Sequence, residues 1–309
     1  MTAARKIHLF SPDCAPAPPG ELIRSCTVAE LVAWFDATFP PGHSVEAETE
    51  CLRVRALFVA AFGTRPAAAI TPREFDAWLS QQPGVKANNT RHRWLRTIQR
   101  PFREAASLNL IPRNPLAACK VPAGKSGRDW TLGEFRALMR GSPLHFRRLL
   151  VFVRYAGPRG GEVAGARWDQ VDWEQGLLIQ EQHKTVATTG EPRVIVLNRV
   201  TRRILELIRH EQKERPSRVI FLNSFSQPWQ PKSMRKYFRQ LRHRLGLRED
   251  VKLHGGRHLF GTSSILAGND VASTAVLLGH KSLQTTQRYL HLVNKRDHAK
   301  AAAERLAAR

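Results

Sequence analysis

One stretch of this chain reads as β structure, and it confines the fold to a small sheet in an otherwise helical protein. In VDWEQGLLIQEQHKTVATTGEPRVIVLN, residues 171 to 198, the apolar runs LLIQ and RVIVL flank a Gly-Glu-Pro turn, which predicts a hairpin. Elsewhere apolar residues recur at the spacing of a helix. TVAELVAWFDATF begins with Thr27 as N-cap and Glu30 three residues on as its capping-box partner. ETECLRVRALFVAAFG and TPREFDAWLSQQ repeat the pattern, the latter with Thr71 ahead of Pro72 at the first helical position. TLGEFRALMR from Thr131 and RRILELIRHEQ add two more. The expected fold class is therefore mainly α with a small β-sheet.

A length of 309 residues suits two domains of ordinary size. Residues 1–25, with the Pro-rich APAPPG, carry no periodic pattern and read as an irregular tail. Residues 26–118 read as a small all-helical domain. CKVPAGKSGRD, residues 119–129, is rich in Gly, Pro and Lys and reads as a linker to a second domain at 130–309. The four cysteines, at 14, 26, 51 and 119, form no Cys-x-x-Cys pair, so neither a disulfide framework nor a zinc finger is expected.

The formal charge of +23, from 49 Lys and Arg against 26 Asp and Glu, calls for a polyanionic partner. Nucleic acid is the first candidate. An anionic membrane is the second, but no apolar run approaches the about 20 residues that a spanning helix needs. The N-terminal residues also lack the apolar core of a signal peptide. A soluble, cytoplasmic protein is expected. The basic residues are also patterned. In NTRHRWLRTIQRPFREAASLNLI, Trp94, Leu95, Ile98, Phe102 and Ala105 fall on one side of a helix, while Arg93, Arg96, Arg100 and Arg103 fall on the other. Residues 86 to 128 hold ten Lys and Arg and one acid, Glu104, so the cationic face is expected to lack local ion pairs and to meet phosphates. PKSMRKYFRQLRHRLGLR carries Lys232, Arg235, Lys236, Arg239, Arg242, Arg244 and Arg248 with no acid, a second basic helix face suited to lying along a groove.

The chemistry concentrates between His254 and Tyr289, in HGGRHLFGTSSILAGNDVASTAVLLGHKSLQTTQRY. Arginine can clamp two non-bridging phosphate oxygens with a planar fork, and imidazoles can share protons near neutral pH. A phenol, with an ordinary pKa near about 10, becomes a useful nucleophile only among cations that favour the phenolate. Arg257, His254, His280 and Tyr289 would make such a group. Upstream, Arg159 in AGPRGGEVAGARW and Lys184 in EQHKTVATTGEPRVIVL would add a second arginine and an ammonium, and Glu162 is spaced to orient Arg159. Singly, each has a plainer reading: His280 as a core histidine, Tyr289 as a packed aromatic, Lys184 as a solvated hairpin lysine. His254 and His258 also have a metal-ligand spacing, but no carboxylate accompanies them and no metal site is expected.

Arg159, Lys184, His254, Arg257, His280 and Tyr289, in that order, resemble the signature of the tyrosine recombinase (phage integrase) family. LLGH, TTQRYLH, the Arg159-x-x-Glu162 pair and AASLNLIPRNP at 105 to 115 look like further landmarks of it. The resemblance implies a SAM-like helical core-binding domain and an α+β catalytic domain that clamp double-stranded DNA. It also implies strand transfer through a 3′-phosphotyrosyl intermediate, with no cofactor, and a homo-tetramer acting on two recombination sites. On this likeness Lys184 is the acid for the leaving oxygen. The tail NKRDHAKAAAERLAAR would pack on a neighbouring protomer. A type IB topoisomerase and a DNA-binding protein that no longer cuts remain alternatives. Two departures favour the last: Gly255 and Gly256 stand where members commonly have a polar and then an apolar residue, so a looser helix start and a lost packing anchor are expected, and Pro158, Gly160 and Gly161 likewise surround Arg159 with backbone-special residues.

Overall fold

The computed structural model describes residues 26–39, 45–124, 127–181, 192–214, 216–280 and 282–287. The chain divides into two compact units, residues 1–125 and 126–309.

The first unit is helical: α1 (Val28–Thr38), α2 (Val45–Phe62), α3 (Pro72–Gln81) and α4 (Asn88–Ser107). Local chemistry starts α1 and α3, since Thr27 with Glu30 and Thr71 with Glu74 each form a reciprocal capping box, with Pro72 opening α3. A cap of this kind contributes about 1 kcal/mol, so packing must supply most of the stability. It does so through an aromatic core in which Phe58 contacts Phe75, Trp78 and Phe102, all on the apolar faces of their helices.

The second unit holds α5 (Leu132–Gly141), α6 (Leu144–Ala156) and α7 (Gly160–Ala164). Strands β1 (Val171–Asp172), β2 (Leu177–Gln180) and β3 (Arg193–Val196) follow. Then come α8 (Arg199–Glu211), α9 (Pro231–Arg244), α10 (Gly255–Leu266), α11 (Val271–Leu278) and the short α12 (Leu283–Gln287). Thr131 starts α5 as the sequence predicts, and Glu134 completes a capping box with it. The strands form one antiparallel sheet in chain order, with Leu178 opposite Ile195 and Gln180 opposite Arg193. The architecture is mainly α with one small sheet. Helix α6 runs through the core, covered by α8 and α10. No helix among the described residues is long and apolar enough to cross a membrane.

The two basic faces differ from the sequence expectation in particular residues. Arg93 and Arg96 are exposed, but Arg93 pairs with Glu50 of α2 at 3.0 Å and Arg103 pairs with its neighbour Glu104 at 2.9 Å. Arg100 lies over the Phe35 ring, 5.2 Å from its centroid. The expected lack of ion pairs fails in two ways: Glu50, distant in sequence on another helix, folds onto the face, and Glu104, the one acid within the stretch, reaches its neighbour Arg103. On α9, Lys232, Arg235, Lys236 and Arg239 are exposed, whereas Arg242 turns inward, 8% exposed, and donates to the Glu249 carbonyl at 2.6 Å. Arg242 sits one residue after the buried Leu241, at the edge of the apolar face, where the turn leading to Asp250 closes over it.

Candidate active site

Four chain segments converge in the second unit: the start of α7, the start of β3, the start of α10 and the end of α11. The end of α11 is their common point. Gly279 takes the left-handed conformation, φ 62°, and His280 N–H returns to the Ala275 carbonyl at 2.9 Å, closing the helix in a Schellman-type turn. This accounts for the Gly-His pair, since a side chain at Gly279 would be strained. An added Cβ there would also lie 2.6 Å from Nη1 of Arg193.

A helix end leaves carbonyls without partners. Here arginines take three in succession. Arg193 Nη2 donates to Leu277 O at 3.0 Å, Arg257 Nη2 to Leu278 O at 2.6 Å, and Arg159 Nη2 to Gly279 O at 3.0 Å. The negative end of the helix dipole favours cations at this place. Arg257 also donates to Gly157 O at 2.6 Å, the residue that ends α6 in the left-handed region at φ 65°.

A single carboxylate stands among the three guanidinium groups. Glu162 accepts from the Arg159 backbone N–H and from Arg159 Nη1, both at 2.8 Å; Arg193 Nε is at 3.4 Å and Arg257 Nη1 at 4.0 Å. Its side chain is 7% exposed, so this is no surface ion pair. Burial alone would raise the Glu162 pKa, but the charge of Arg193 and then the bonds from Arg159 outweigh it and hold the group below the usual carboxylate range. Among the described residues, three cations against one anion leave the cluster net positive and suited to another anion. Its open side is Arg159, whose side chain is 41% exposed; His254, at the start of α10, is also exposed.

His280 adds a neutral group. Burial first, then the charges of Arg257, Arg159, Arg193 and His254, push its pKa down to about 4. The imidazole is therefore uncharged at neutral pH, with Nδ1 2.7 Å from Oγ1 of Thr286 in α12. Three residues beyond Thr286 stands Tyr289, which, like Lys184 and the tail after Asn294, lies outside the described residues. His254 and His258 meet edge to face at 4.6 Å, and among the described residues no group of three His, Cys, Asp or Glu could hold a metal.

The glycine pair finds its explanation in Trp130. Helix α10 begins at Gly255, with both glycines buried, and the Trp130 indole, 1% exposed, fills the volume their side chains would take. An added Cβ would lie 2.6 Å from Cδ1 of Trp130 at Gly255 and 2.6 Å from its Cζ3 at Gly256. Trp130 is stacked between Phe135 and Phe238 and donates through Nε1 to Lys252 O at 2.7 Å; its own N–H reaches Gly255 O at 3.3 Å. The packing anchor that the glycines forgo is supplied from the other side. Gly256→Ala is therefore expected to destabilise the protein by about 1 to 3 kcal/mol through overpacking, despite alanine's better helix propensity. Gly161→Ala in α7, where an added Cβ meets nothing within 4 Å, is expected to be neutral or stabilising. Urea denaturation of the two variants checks the contrast.

Residue types and spacing thus single out Arg159, His254, Arg257 and His280, which the structure gathers, and pass over Arg193, Thr286 and Trp130. A signal for Arg193 exists. It alternates with Ile195, which is wholly buried, and the period of two puts both on the inner face of β3.

A sequence profile of the phage integrase family matches residues 135–296. The chain belongs to this family of tyrosine recombinases. It is 27% identical over 239 residues to the tyrosine recombinase XerC of Lactobacillus delbrueckii subsp. bulgaricus, covering 72% of this chain and 79% of that one. It is 24% identical over 231 residues to the integrase of Escherichia phage HK022, covering 73% and 64%. Its fold is similar to that of the Tn1549 transposon integrase, solved in complex with a circular intermediate DNA: TM-score 0.73, 17% identity, 91% of this chain and all of that one. It is also similar to lambda integrase, solved as a tetramer bound to a Holliday junction: TM-score 0.68, 20% identity, 86% of this chain and 77% of that one.

Proposed function

We propose that this protein is a site-specific DNA recombinase that cleaves and rejoins strands through a 3′-phosphotyrosyl intermediate, acting in the cytoplasm on chromosomal or mobile-element DNA. The observation that carries the reading is the net-positive cluster at the end of α11, where three arginines surround one carboxylate and a neutral histidine follows. Family membership supports it, and relatives named as tyrosine recombinases favour recombination over topoisomerase-like relaxation.

In this mechanism a scissile phosphate docks on the open side of the cluster. Arg159 and Arg257 donate to its non-bridging oxygens. With His280 Nδ1 accepting from the Thr286 hydroxyl, its Nε2–H donates to the same phosphate. These donors are set in place before charge develops, which is where such groups lower a barrier most. The Tyr289 oxygen attacks phosphorus as its phenolic proton passes to His254. The bond from phosphorus to the 5′ oxygen breaks, and that oxygen takes its electron pair and a proton from Lys184. The phosphotyrosyl ester retains the energy of the cleaved linkage, so attack by a 5′ hydroxyl from a second duplex reverses the step without ATP or metal. Four protomers on two sites would complete an exchange, with Arg93, Arg96, Arg103 and the exposed basic residues of α9 on the DNA backbone.

The test is a covalent trap. A nicked duplex is prepared carrying the sequence that the wild-type protein selects from a random pool, so that the cleaved fragment diffuses away. Incubation in EDTA is expected to yield an SDS-resistant adduct joined to the 3′ phosphate. Absence of any adduct, or one formed only after Mg²⁺ is added, overturns the proposal.

A further inference from the structure

We propose that Arg193 is a positioning residue of this site: from β3 it holds the end of α11 and the Glu162 carboxylate together, and so sets where Arg159 and His280 stand. The inference rests on the recombinase reading above and adds to it a residue outside the six of the motif.

Arg193 is 5% exposed. All three of its nitrogens are committed: Nε to Glu162, Nη1 to the Val194 carbonyl at 2.5 Å, and Nη2 to Leu277 O at 3.0 Å. The guanidinium plane lies directly against Gly279, where an added Cβ would approach Nη1, Cζ and Nε within 2.6 to 2.8 Å. The backbone from Leu277 to His280 therefore rests on Arg193 as on a plate. Through Glu162 the same plate reaches Arg159, whose backbone N–H and side chain both bond that carboxylate.

A purely structural ion pair is the simpler account, but a buried pair is weak evidence of stability, and apolar residues of similar volume often serve as well. What an apolar residue could not do is add a charge that favours the ionised form of Glu162. The charge of Arg193 is foremost among the influences that lower the Glu162 pKa, and it also acts on His280 alongside Arg257 and His254 from α10 and Arg159 from α7.

The experiment compares full-length wild type, Arg193→Met and Arg193→Lys. It reads half-site DNA affinity, single-turnover adduct formation from about pH 3 to about pH 9 so that the acid limb of wild type is included, urea denaturation, and NMR titration of His280 in DNA-free protein over the same range. Methionine is expected to spare DNA affinity and to slow adduct formation by about 100-fold, the scale of a misplacement near 1 Å. Neutral His280 is the working form and loses a repelling cation, so the acid limb of the rate profile and the NMR titration both move to higher pH. Lysine keeps the charge and hence the wild-type limb, but recovers only part of the rate, because one ammonium cannot replace a planar fork. The proposal is overturned if Arg193→Met matches wild type in rate and acid limb. It is equally overturned if the rate falls only in step with folded protein, the limb unmoved and lysine no better. Should wild type itself form no adduct, the recombinase reading fails, and Arg193 is judged by NMR alone: an unmoved His280 titration overturns its role as well.

Discussion

Tyr289→Phe is expected to bind DNA with wild-type affinity and to form no covalent complex. The substitution removes one oxygen and keeps the ring, so packing and the phosphate contacts of the arginines persist while the group that would bond to phosphorus is gone. Gel shift on the selected duplex measures the first property, and SDS-resistant adduct on the nicked duplex measures the second. An adduct from the phenylalanine variant would assign the nucleophile elsewhere. The position of Thr286, tied to His280 at 2.7 Å and three residues ahead of Tyr289, makes this result informative about the site as a whole.

Arg159→Ala and Arg257→Ala are both expected to slow cleavage by orders of magnitude, since removing one preorganised donor raises a barrier by about 3 kcal/mol. They are expected to differ in stability. Arg159 is 41% exposed in its side chain, and the carbonyl it leaves at Gly279 can turn to water. Its loss also takes one donor from the buried Glu162, which keeps the Arg159 backbone N–H and Arg193, so the denaturation midpoint should fall less than for Arg257→Ala. Arg257 is 2% exposed and satisfies the carbonyls of Gly157 and Leu278, at the ends of α6 and α11. Alanine there orphans two buried acceptors, each worth about 1 to 3 kcal/mol, so stability should fall with activity. Equal stabilities of the two variants would show that the carbonyls find other partners and that Arg257 is no strut. Parallel urea denaturation and single-turnover cleavage decide between these outcomes.

The sequence by itself determined those features whose partners are close along the chain. Thr27 with Glu30, Thr71 with Glu74 and Thr131 with Glu134 are capping pairs three residues apart, so composition and spacing suffice to start their helices. Gly279 before His280 ends α11 for a similarly local reason, a left-handed residue that glycine adopts without strain. The apolar runs LLIQ and RVIVL were enough to foresee the pairing of β2 with β3, although Gly190 and Glu191 of the expected turn lie outside the described residues. The order of Arg159, His254, Arg257 and His280 pointed to one site, although nothing in their spacing shows why they meet. That was decided by tertiary structure, which brought three arginines to one helix end, put Glu50 on the basic face of α4 and turned Arg242 inward. It also filled the Gly255-Gly256 gap with Trp130, a residue more than a hundred positions away. The physical reason is common to all of these. A buried charge or a missing side chain is tolerable only if a partner of the right shape and polarity lies beside it, and the identity of that partner is a property of the packed chain rather than of neighbouring residues.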